Sequence, residues 1–446
     1  MALRPHSPPP ALSGWLIGAL GAQQVQVLSL QKLSGGAIQE NWAFEARVRG
    51  GPKAGTLSAV LRTDAPTGVA VSHGRVEEYA ILSAAHAAGV RVPTPVGLCA
   101  DPALLGKPFY VMERVGGTAL GHILVNDEKW PGDRTKLAEM LGAQLAKLHT
   151  IRPPVADLGF LPVPPDRPAL AAIGDYRKWL DTYRAPRPAL ELALRWLERN
   201  APPRGVVALC HRDYRTGNYM VDADGLTGVL DWEFAGWSDP DEDIGWFTSK
   251  CWRFGRIERE AGGIGARADF YRGYESVAGR KIDPAAIRYW EIMAHARWAV
   301  IALQQGERFV GGGEASLDLA ITGRRIAELE YEMLATIDPA AAPGKLPDGL
   351  PVDRPTAGEL AALAAQIATR EIAPALDGER KLTGLMLANA MGIVARDMKT
   401  DAEPPADRSL VSAIRAGKRD GDAGLHGALR ENARARTKIA NPKYPF

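Results

Sequence analysis

The sequence predicts an α+β protein of two lobes, a small and mostly antiparallel sheet followed by a largely helical lobe, with a small α-helical domain after them. Three observations predict this. Strand-length apolar runs bounded by turn residues crowd into 25–115, and helical spacing of apolar residues dominates 116–337. Five prolines then fall between Asp338 and Pro355. The 446 residues suffice for about three compact units, or for a two-lobed body with an appendage.

Residues 1–24 hold one apolar run, Trp15 to Ala22, behind Arg4 and His6. It imitates a targeting signal, but it is short and interrupted by Gly18 and Gly21, so a first helix capped by Ser13 is the expectation. Val25–Leu33 and Trp42–Val48 flank Ser34-Gly35-Gly36-Ala37, which reads as strand, glycine turn, strand. Leu57–Arg62 is a further strand. Val76 to Ala88 is helical in spacing, with Gly89 at its C-terminal end. Val96–Cys99 and Phe109–Val115 complete the first lobe, 25–115.

In the second lobe, 116–337, Asp133 is placed to cap a helix carrying Leu137, Leu141, Leu145 and Leu148. Further helices are expected over Ala189–Arg199, Pro284–Gln305 and Ala315–Thr336. Val206–Leu209 and Gly228–Leu230 are strand-like and bracket a polar loop. The prolines of 338–355 exclude a continuous helix, so that stretch reads as a linker. In 356–446, Thr356-Ala357-Gly358-Glu359 has the spacing of a capping box, and a second helix runs from Glu379 to Met398. The tail beyond Arg408 is rich in Arg and Lys.

Composition narrows the function. Lys plus Arg number 54 against 52 Asp plus Glu, a formal charge of +2, which gives no support to a nucleic-acid partner. Cys99, Cys210 and Cys251 are odd in number and far apart, which argues against disulfides and a structural zinc site and for a reducing, cytoplasmic setting. No stretch is long and apolar enough for a membrane span, so no membrane partner is expected.

The informative string is His211-Arg212-Asp213-Tyr214-Arg215-Thr216-Gly217-Asn218, followed by Asp231-Trp232-Glu233. An apolar run precedes each piece, so each projects polar groups from a strand end. Phosphoryl transfer needs a carboxylate to accept the proton of an attacking hydroxyl, which suits Asp213. It also needs oxygen ligands for magnesium across nucleotide phosphates, which suits Asn218 and Asp231. A loop of Asx-turns would use the same residue types. His211 is assigned a structural role. Ser34, Gly35 and Gly36 would let backbone approach phosphates, although a hairpin turn needs them equally. Arg62 ends a strand where a nucleotide kinase needs a cation, and Glu78 lies on the next helix where it can pair with Arg62; each is otherwise a surface charge. Met112-Glu113-Arg114-Val115 sits between sheet and helices, the place for a hinge whose backbone would meet adenine.

On these residues the chain resembles the aminoglycoside phosphotransferase and choline kinase-like family, a small-molecule branch of the protein-kinase fold. The resemblance runs from Val25 to Thr336, and rests on His211–Asn218 plus Asp231, with support from Leu33–Asn41, Glu78-Tyr79, Phe109–Gly117 and Asp239–Asp243. It implies a bilobal kinase-like fold, Asp213 as catalytic base, Asn218 and Asp231 as magnesium ligands, and ATP as phosphate donor held by Ser34, Gly35, Gly36, Arg62, Glu113 and Val115. Glu78 would pair with the phosphate-binding cation, usually lysine and here Arg62. No Asp-Phe-Gly and no Ala-Pro-Glu follow Asp231, which disfavours a protein substrate. Asp243 reads as scaffold.

Gly205–Trp246 resembles the subgroup fused to, or acting beside, acyl-CoA dehydrogenases, whose kinases phosphorylate 4-hydroxyacyl-CoA. Asp353–Asp397 resembles a small bacterial helical domain that accompanies such kinases. Together these imply a hydroxyacyl-CoA acceptor, with an aminoglycoside or other amino-alcohol as the alternative. A second alternative is a nucleotide-binding pseudokinase that assembles, as a homo-oligomer, through its C-terminal domain. The basic tail matches the phosphates of CoA, or is simply solvated.

Overall fold

The structure, a computed structural model, describes residues 9–33, 39–65, 72–127, 130, 132–163, 165–203, 205–311, 316–347, 350–367, 379–397 and 408–446. Helix α1 (Pro10–Leu20) leads into strands β1 (Gln24–Lys32), β2 (Gln39–Arg49) and β3 (Gly55–Asp64). Helix α2 (Arg75–Ala87), β4 (Pro95–Cys99) and β5 (Phe109–Glu113) follow. Next come α3 (Gly121–Asn126), α4 (Arg134–Leu148), α5 (Pro168–Leu180) and α6 (Pro188–Arg199). Four short strands, β6 (Ala208–Cys210), β7 (Tyr219–Asp222), β8 (Gly225–Val229) and β9 (Gly236–Ser238), precede α7 (Pro240–Thr248) and α8 (Arg267–Ala278). Helices α9 (Pro284–Val310), α10 (Leu317–Gly323), α11 (Ile326–Ile337), α12 (Ala357–Ile367), α13 (Glu379–Asp397), α14 (Ser409–Arg415) and α15 (Ala423–Ala440) complete the chain.

The chain divides into two compact units, Met1–Pro164 with Gly205–Thr248 and Trp252–Ile282, and Pro165–Arg204 with Ser249–Cys251 and Asp283–Phe446. These limits differ from the sequence boundaries at 115 and 337, because residues 165–204 group with the C-terminal helices.

In the first unit the sheet is antiparallel throughout, in the order β1-β2-β3-β5-β4. Alternation along β2 and β3 buries Trp42, Phe44, Ala46, Ala59 and Leu61 against Leu12, Leu16 and Leu20 of α1. Each such leucine contributes about 1.5–3 kcal/mol by leaving water. Helix α1 starts at Pro10, so Ser13 lies inside it rather than at its cap, and its Oγ accepts from the Val27 N–H at 3.5 Å. Proline needs no N–H partner in a first helical turn, which is why it opens the helix. Asp133 does cap α4, accepting from Lys136 N–H.

Helices α4 and α8 approach closely. A Cβ at Gly142 would stand 2.1 Å from the Phe270 carbonyl, and one at Gly273 would stand 1.9 Å from the Glu139 carbonyl. This contact matters for the site, because it sets Tyr274 of α8 beside His149 at the end of α4, 2.9 Å apart.

In the second unit, α5, α6, α9 and α11 share one core, α10, α12 and α13 a second, and α6, α11, α14 and α15 a third. The single helix expected over Ala315–Thr336 is two, α10 and α11. The break follows Gly323, whose backbone lies against Gly306, where a Cβ would sit 2.7 Å from Gly306 Cα. The capping box is made: Thr356 N–H donates to Glu359 Oε2 at 2.6 Å, and Glu359 N–H to Thr356 Oγ at 3.4 Å.

The proline-rich stretch is extended but anchored. Asp353 is 2% exposed and pairs with Arg187 at 2.9 Å and Arg436 at 2.5 Å, and the Asp353 carbonyl accepts from Arg324. The tail is helical, as α14 and α15, and its arginines face their own unit. Arg415 pairs with Asp181 and Glu191, Arg419 with Asp422, and Arg436 with Glu330 and Asp353. Arg430 donates to the carbonyls of Asp338, Pro339 and Ala341. No helix among the described residues is long and apolar enough to cross a membrane.

Candidate active site

Strand β6 is fully buried and delivers His211 to a fixed point. There the backbone turns sharply: Arg212 has φ 61, a left-handed conformation rarely adopted by residues with a side chain. Asp243 of α7 holds the turn, accepting from the N–H groups of His211 at 2.6 Å and Arg212 at 2.7 Å, and from His149 Nε2 at 3.1 Å. Burial alone would raise the Asp243 pKa; His149 and His211 outweigh it and hold the group below its ordinary value. Asp243 is therefore scaffold, as its sequence context implied. His211 is too. Its Nδ1 accepts from Asp213 N–H at 3.3 Å and its Nε2 donates to the Leu230 carbonyl at 2.8 Å, so neither ring nitrogen is left for a reactant.

Asp213, next in the loop, is held on both oxygens. Asn218 Nδ2 donates to Oδ2 at 2.6 Å, and also to the Asp213 carbonyl at 2.9 Å. Trp246 Nε1 donates to Oδ1 at 3.0 Å and Arg215 Nε to the same atom at 3.1 Å. The Arg215 guanidinium lies 4.7 Å over the Trp252 ring, which packs on Trp246. Arg215 and Trp246 were not foreseen. Trp246 had a signal of sorts, lying three positions beyond Asp243 and so on a neighbouring face of α7.

Arg62, near the end of β3, meets Glu78 of α2 at 2.7 Å and Asp231, just beyond β8, at 2.6 Å. The three residues proposed from separate stretches thus converge. Burial would lower the Arg62 pKa, but Glu78, Tyr110 and Asp231 outweigh it and raise it well above ordinary. Burial likewise opposes the Asp231 anion, and Arg62 overcomes it, leaving the Asp231 pKa lowered. Asp231 has φ 67, the second strained backbone position of the site. Two further residues were missed by sequence reasoning. Arg75 pairs with Glu78 and, at 3.0 Å, with Asp64, and Gln39 Nε2 donates to Asp231 Oδ1 at 3.1 Å. Glu233 is buried beside them with Oε2 lacking a hydrogen bond, and burial followed by the Asp231 charge pushes its pKa up to about 8.

Between sheet and helices, Glu113 N–H donates to the Thr94 carbonyl and Arg114 N–H to the Ser58 carbonyl. Among the described residues the Val115 N–H makes no hydrogen bond. The Glu113 carboxylate pairs with Lys53, chiefly on whose account its pKa is lowered. Ser34, Gly35 and Gly36 lie outside the described residues.

The oxygens fit a hard divalent cation. Asn218 turns its nitrogen to Asp213, and among the described residues neither its Oδ1 nor Asp231 Oδ2 takes a hydrogen bond. Magnesium takes few protein oxygens and completes its shell with phosphate and water, so this pair suffices.

The phosphotransferase enzyme family matches residues 29–280, and a domain of unknown function (DUF6285) matches residues 374–444. Acyl-CoA dehydrogenase family member 10 of Mus musculus is 28% identical over 254 residues, 53% of this chain and 22% of that protein. Acyl-CoA dehydrogenase family member 11 of Rattus norvegicus is 24% identical over 316 residues, 64% of this chain and 39% of that protein. The chain thus spans well under half of these relatives. A crystal structure of a Ralstonia eutropha protein assigned as an aminoglycoside phosphotransferase superposes with a TM-score of 0.58 at 22% identity, covering 72% of this chain and 95% of that one. That similarity shows the fold.

Proposed function

The chain belongs to the phosphotransferase enzyme family, and on that premise we propose the roles of its site residues and the class of its acceptor. The protein transfers the γ-phosphate of ATP to a hydroxyl of a small molecule. The observation that carries this is the Asp213–Asn218 pair at 2.6 Å, a carboxylate fixed by the residue whose remaining oxygen is free to meet a cation.

In the reaction the acceptor hydroxyl lies against Asp213. As its oxygen bonds to the γ-phosphorus, the bond from phosphorus to the β,γ-bridging oxygen breaks, ADP leaves, and the hydroxyl proton passes to Asp213. Asn218, Trp246 and Arg215 keep the carboxylate from rotating away. Arg62, steadied by Glu78 and Arg75, presents its fork to the phosphates. The Glu113 carbonyl and Val115 N–H meet the adenine edge. Asn218 and Asp231 would hold magnesium, which supplies charge neutralisation for the transferring phosphoryl group.

The acceptor is a hydroxyacyl-CoA. Two features support it: the relatives named as acyl-CoA dehydrogenase family members, and the resemblance of residues 205–246 to kinases that serve such enzymes. Incubation with Mg²⁺-ATP and a panel of 3- and 4-hydroxyacyl-CoAs, choline, homoserine and aminoglycosides tests it by mass spectrometry. An added phosphate on a hydroxyacyl-CoA alone is expected. A phosphorylated aminoglycoside would overturn the acceptor and keep Asp213. ATP binding without any product would make the chain a pseudokinase. Asp213→Ala should abolish product while nucleotide binding persists.

A further inference from the structure

Three guanidiniums meet at the last turn of α3. Arg134 donates to the Leu124 carbonyl and, at 2.8 Å, to the Asp127 carbonyl. Arg259 donates to the Val125 carbonyl at 2.8 Å, and Arg256 Nε to Asn126 Oδ1 at 3.0 Å. Each hydrogen-bonds to a neutral acceptor. Among the described residues none of the three has a carboxylate within salt-bridge distance, although carboxylate partners are usual for the arginines of this chain.

Carbonyl dipoles satisfy N–H groups without cancelling charge. A guanidinium has five donors, and these use one or two each, so most of each fork and the full charge remain. The partial negative charge at a helix end offsets only a fraction of three cations. Burial first and then Arg259 pull the Arg134 pKa down, Arg256 adds to this, and the nearby Asp127 carboxylate offsets only part of it. Its guanidinium also lies 5.1 Å over the Trp130 ring, a flat surface beside the charges.

The cluster is tied to the catalytic loop. Arg256 and Arg259 belong to the segment that starts at Trp252, beneath Arg215, and Gly262 in that segment accepts from Thr216 Oγ at 2.7 Å. Meanwhile Arg415, Arg419 and Arg436 of the basic tail are already paired with carboxylates of their own unit.

We infer that Arg134, Arg256 and Arg259 form an anion site for phosphate esters, and that it takes the 3′-phosphate and diphosphate of a CoA-thioester acceptor. Guanidinium forks match phosphate oxygens in pairs, and three of them suit a ligand carrying several phosphates. The assignment of CoA rests on the acceptor proposed above; the anion site does not. ATP is the other source of such phosphates, and the experiment separates the two.

The doubly substituted Arg256→Gln/Arg259→Gln protein is assayed with a hydroxyacyl-CoA and with the same acyl group on pantetheine, which lacks the phosphates. The KM for the CoA ester should rise about tenfold or more, the effect of losing roughly one strong charged contact. The KM for the pantetheine ester, the KM for ATP and kcat should hold within about twofold, the scatter of a bystander substitution. Arg256→Lys/Arg259→Lys, which keeps the charge, should restore much of the loss. An equal rise for both esters, a rise for ATP instead, or no rise would overturn the inference.

Calorimetry with adenosine 3′,5′-bisphosphate, the nucleotide site being saturated with ADP, gives an answer independent of turnover and of how the variant folds. Wild type should bind it more weakly as salt rises. Binding without phosphorylation of any CoA ester would sink the proposed acceptor while the anion site stands. No binding by wild type would sink the site.

Discussion

Two buried networks of arginine and carboxylate, one in each compact unit, are built from the same groups and differ in charge balance. In the first, Arg62 and Arg75 face Asp64, Glu78, Asp231 and Glu233, two guanidiniums against four carboxyl groups. In the second, Arg187, Arg324 and Arg436 face Glu330, Asp353 and Asp397, three against three. Exposure differs in parallel: the Asp231 side chain is 24% exposed and the Asp353 side chain 2%. A neutral, sealed network holds a fold together. One with surplus negative charge and a reachable carboxylate has room for a cation and its phosphates; burial first, and then the Asp231 charge, lets Glu233 hold its proton up to about pH 8.

The sharpest break in that contrast is Asp231→Asn. Against burial, Arg62 holds Asp231 ionised in the folded chain, so removing that charge should cost about 1 kcal/mol with Glu78 still on Arg62, while turnover falls by about a thousandfold as the proposed cation ligand is lost. Assaying kcat beside thermal unfolding checks both; a strongly destabilised but active variant would put the two networks in one class.

The mirror substitution, Asp353→Asn, leaves three guanidiniums against two carboxylates in a sealed place. It should destabilise by about 3–5 kcal/mol, the usual result of breaking one partner out of a buried pair, with turnover of the folded fraction unchanged. Its pH dependence has a definite sign. Burial would raise the Asp353 pKa, but Arg436, Arg187 and Arg324 hold it far below the ordinary carboxylate range. The resulting stabilisation is complete above the unfolded pKa, about 4, and drains away as pH falls below it. Wild type should lose this contribution on acidification and Asp353→Asn should not, by chemical denaturation between pH 5 and 2.

Arg62→Lys keeps one cation and removes the fork that bridges Glu78 and Asp231. The KM for ATP should rise about tenfold with stability changed little, as steady-state kinetics would reveal. The smallest effect belongs to Glu233→Gln. Folded Glu233 keeps its proton to about pH 8, and the unfolded chain releases it near 4.5, so wild type loses stability as pH rises across that window. Glu233→Gln should flatten the slope in denaturation curves taken at pH 5 and pH 8; an unchanged slope would mean that Glu233 is not held neutral in the folded chain.

Much of the site was legible because its spacing is local. Asp213 and Asn218 are five positions apart on one loop, and each strand before a polar string announced where its end would project. Arg62 and Glu78 were legible more weakly, as two residues on adjacent elements. Gln39 and Arg215 were not, since a single polar residue carries no period. Ser34, Gly35 and Gly36 remain sequence expectations. The tail's partners were not legible for a related reason: its charge showed in the sequence, but groups such as Asp181, which meets Arg415 across 234 positions, did not.

By itself, then, the sequence determined the order of strands and helices, the polar strings at their ends, and the residue types that phosphoryl transfer requires, because periodicity and turn chemistry act over a few neighbouring residues. Only the tertiary structure decided which charges are cancelled and which remain. Gln39 reaches Asp231 across 192 positions and Arg62 reaches it across 169, while Arg134, Arg256 and Arg259 collect around one helix end. Electrostatic balance is set by distance in space, and no local pattern in a chain records it.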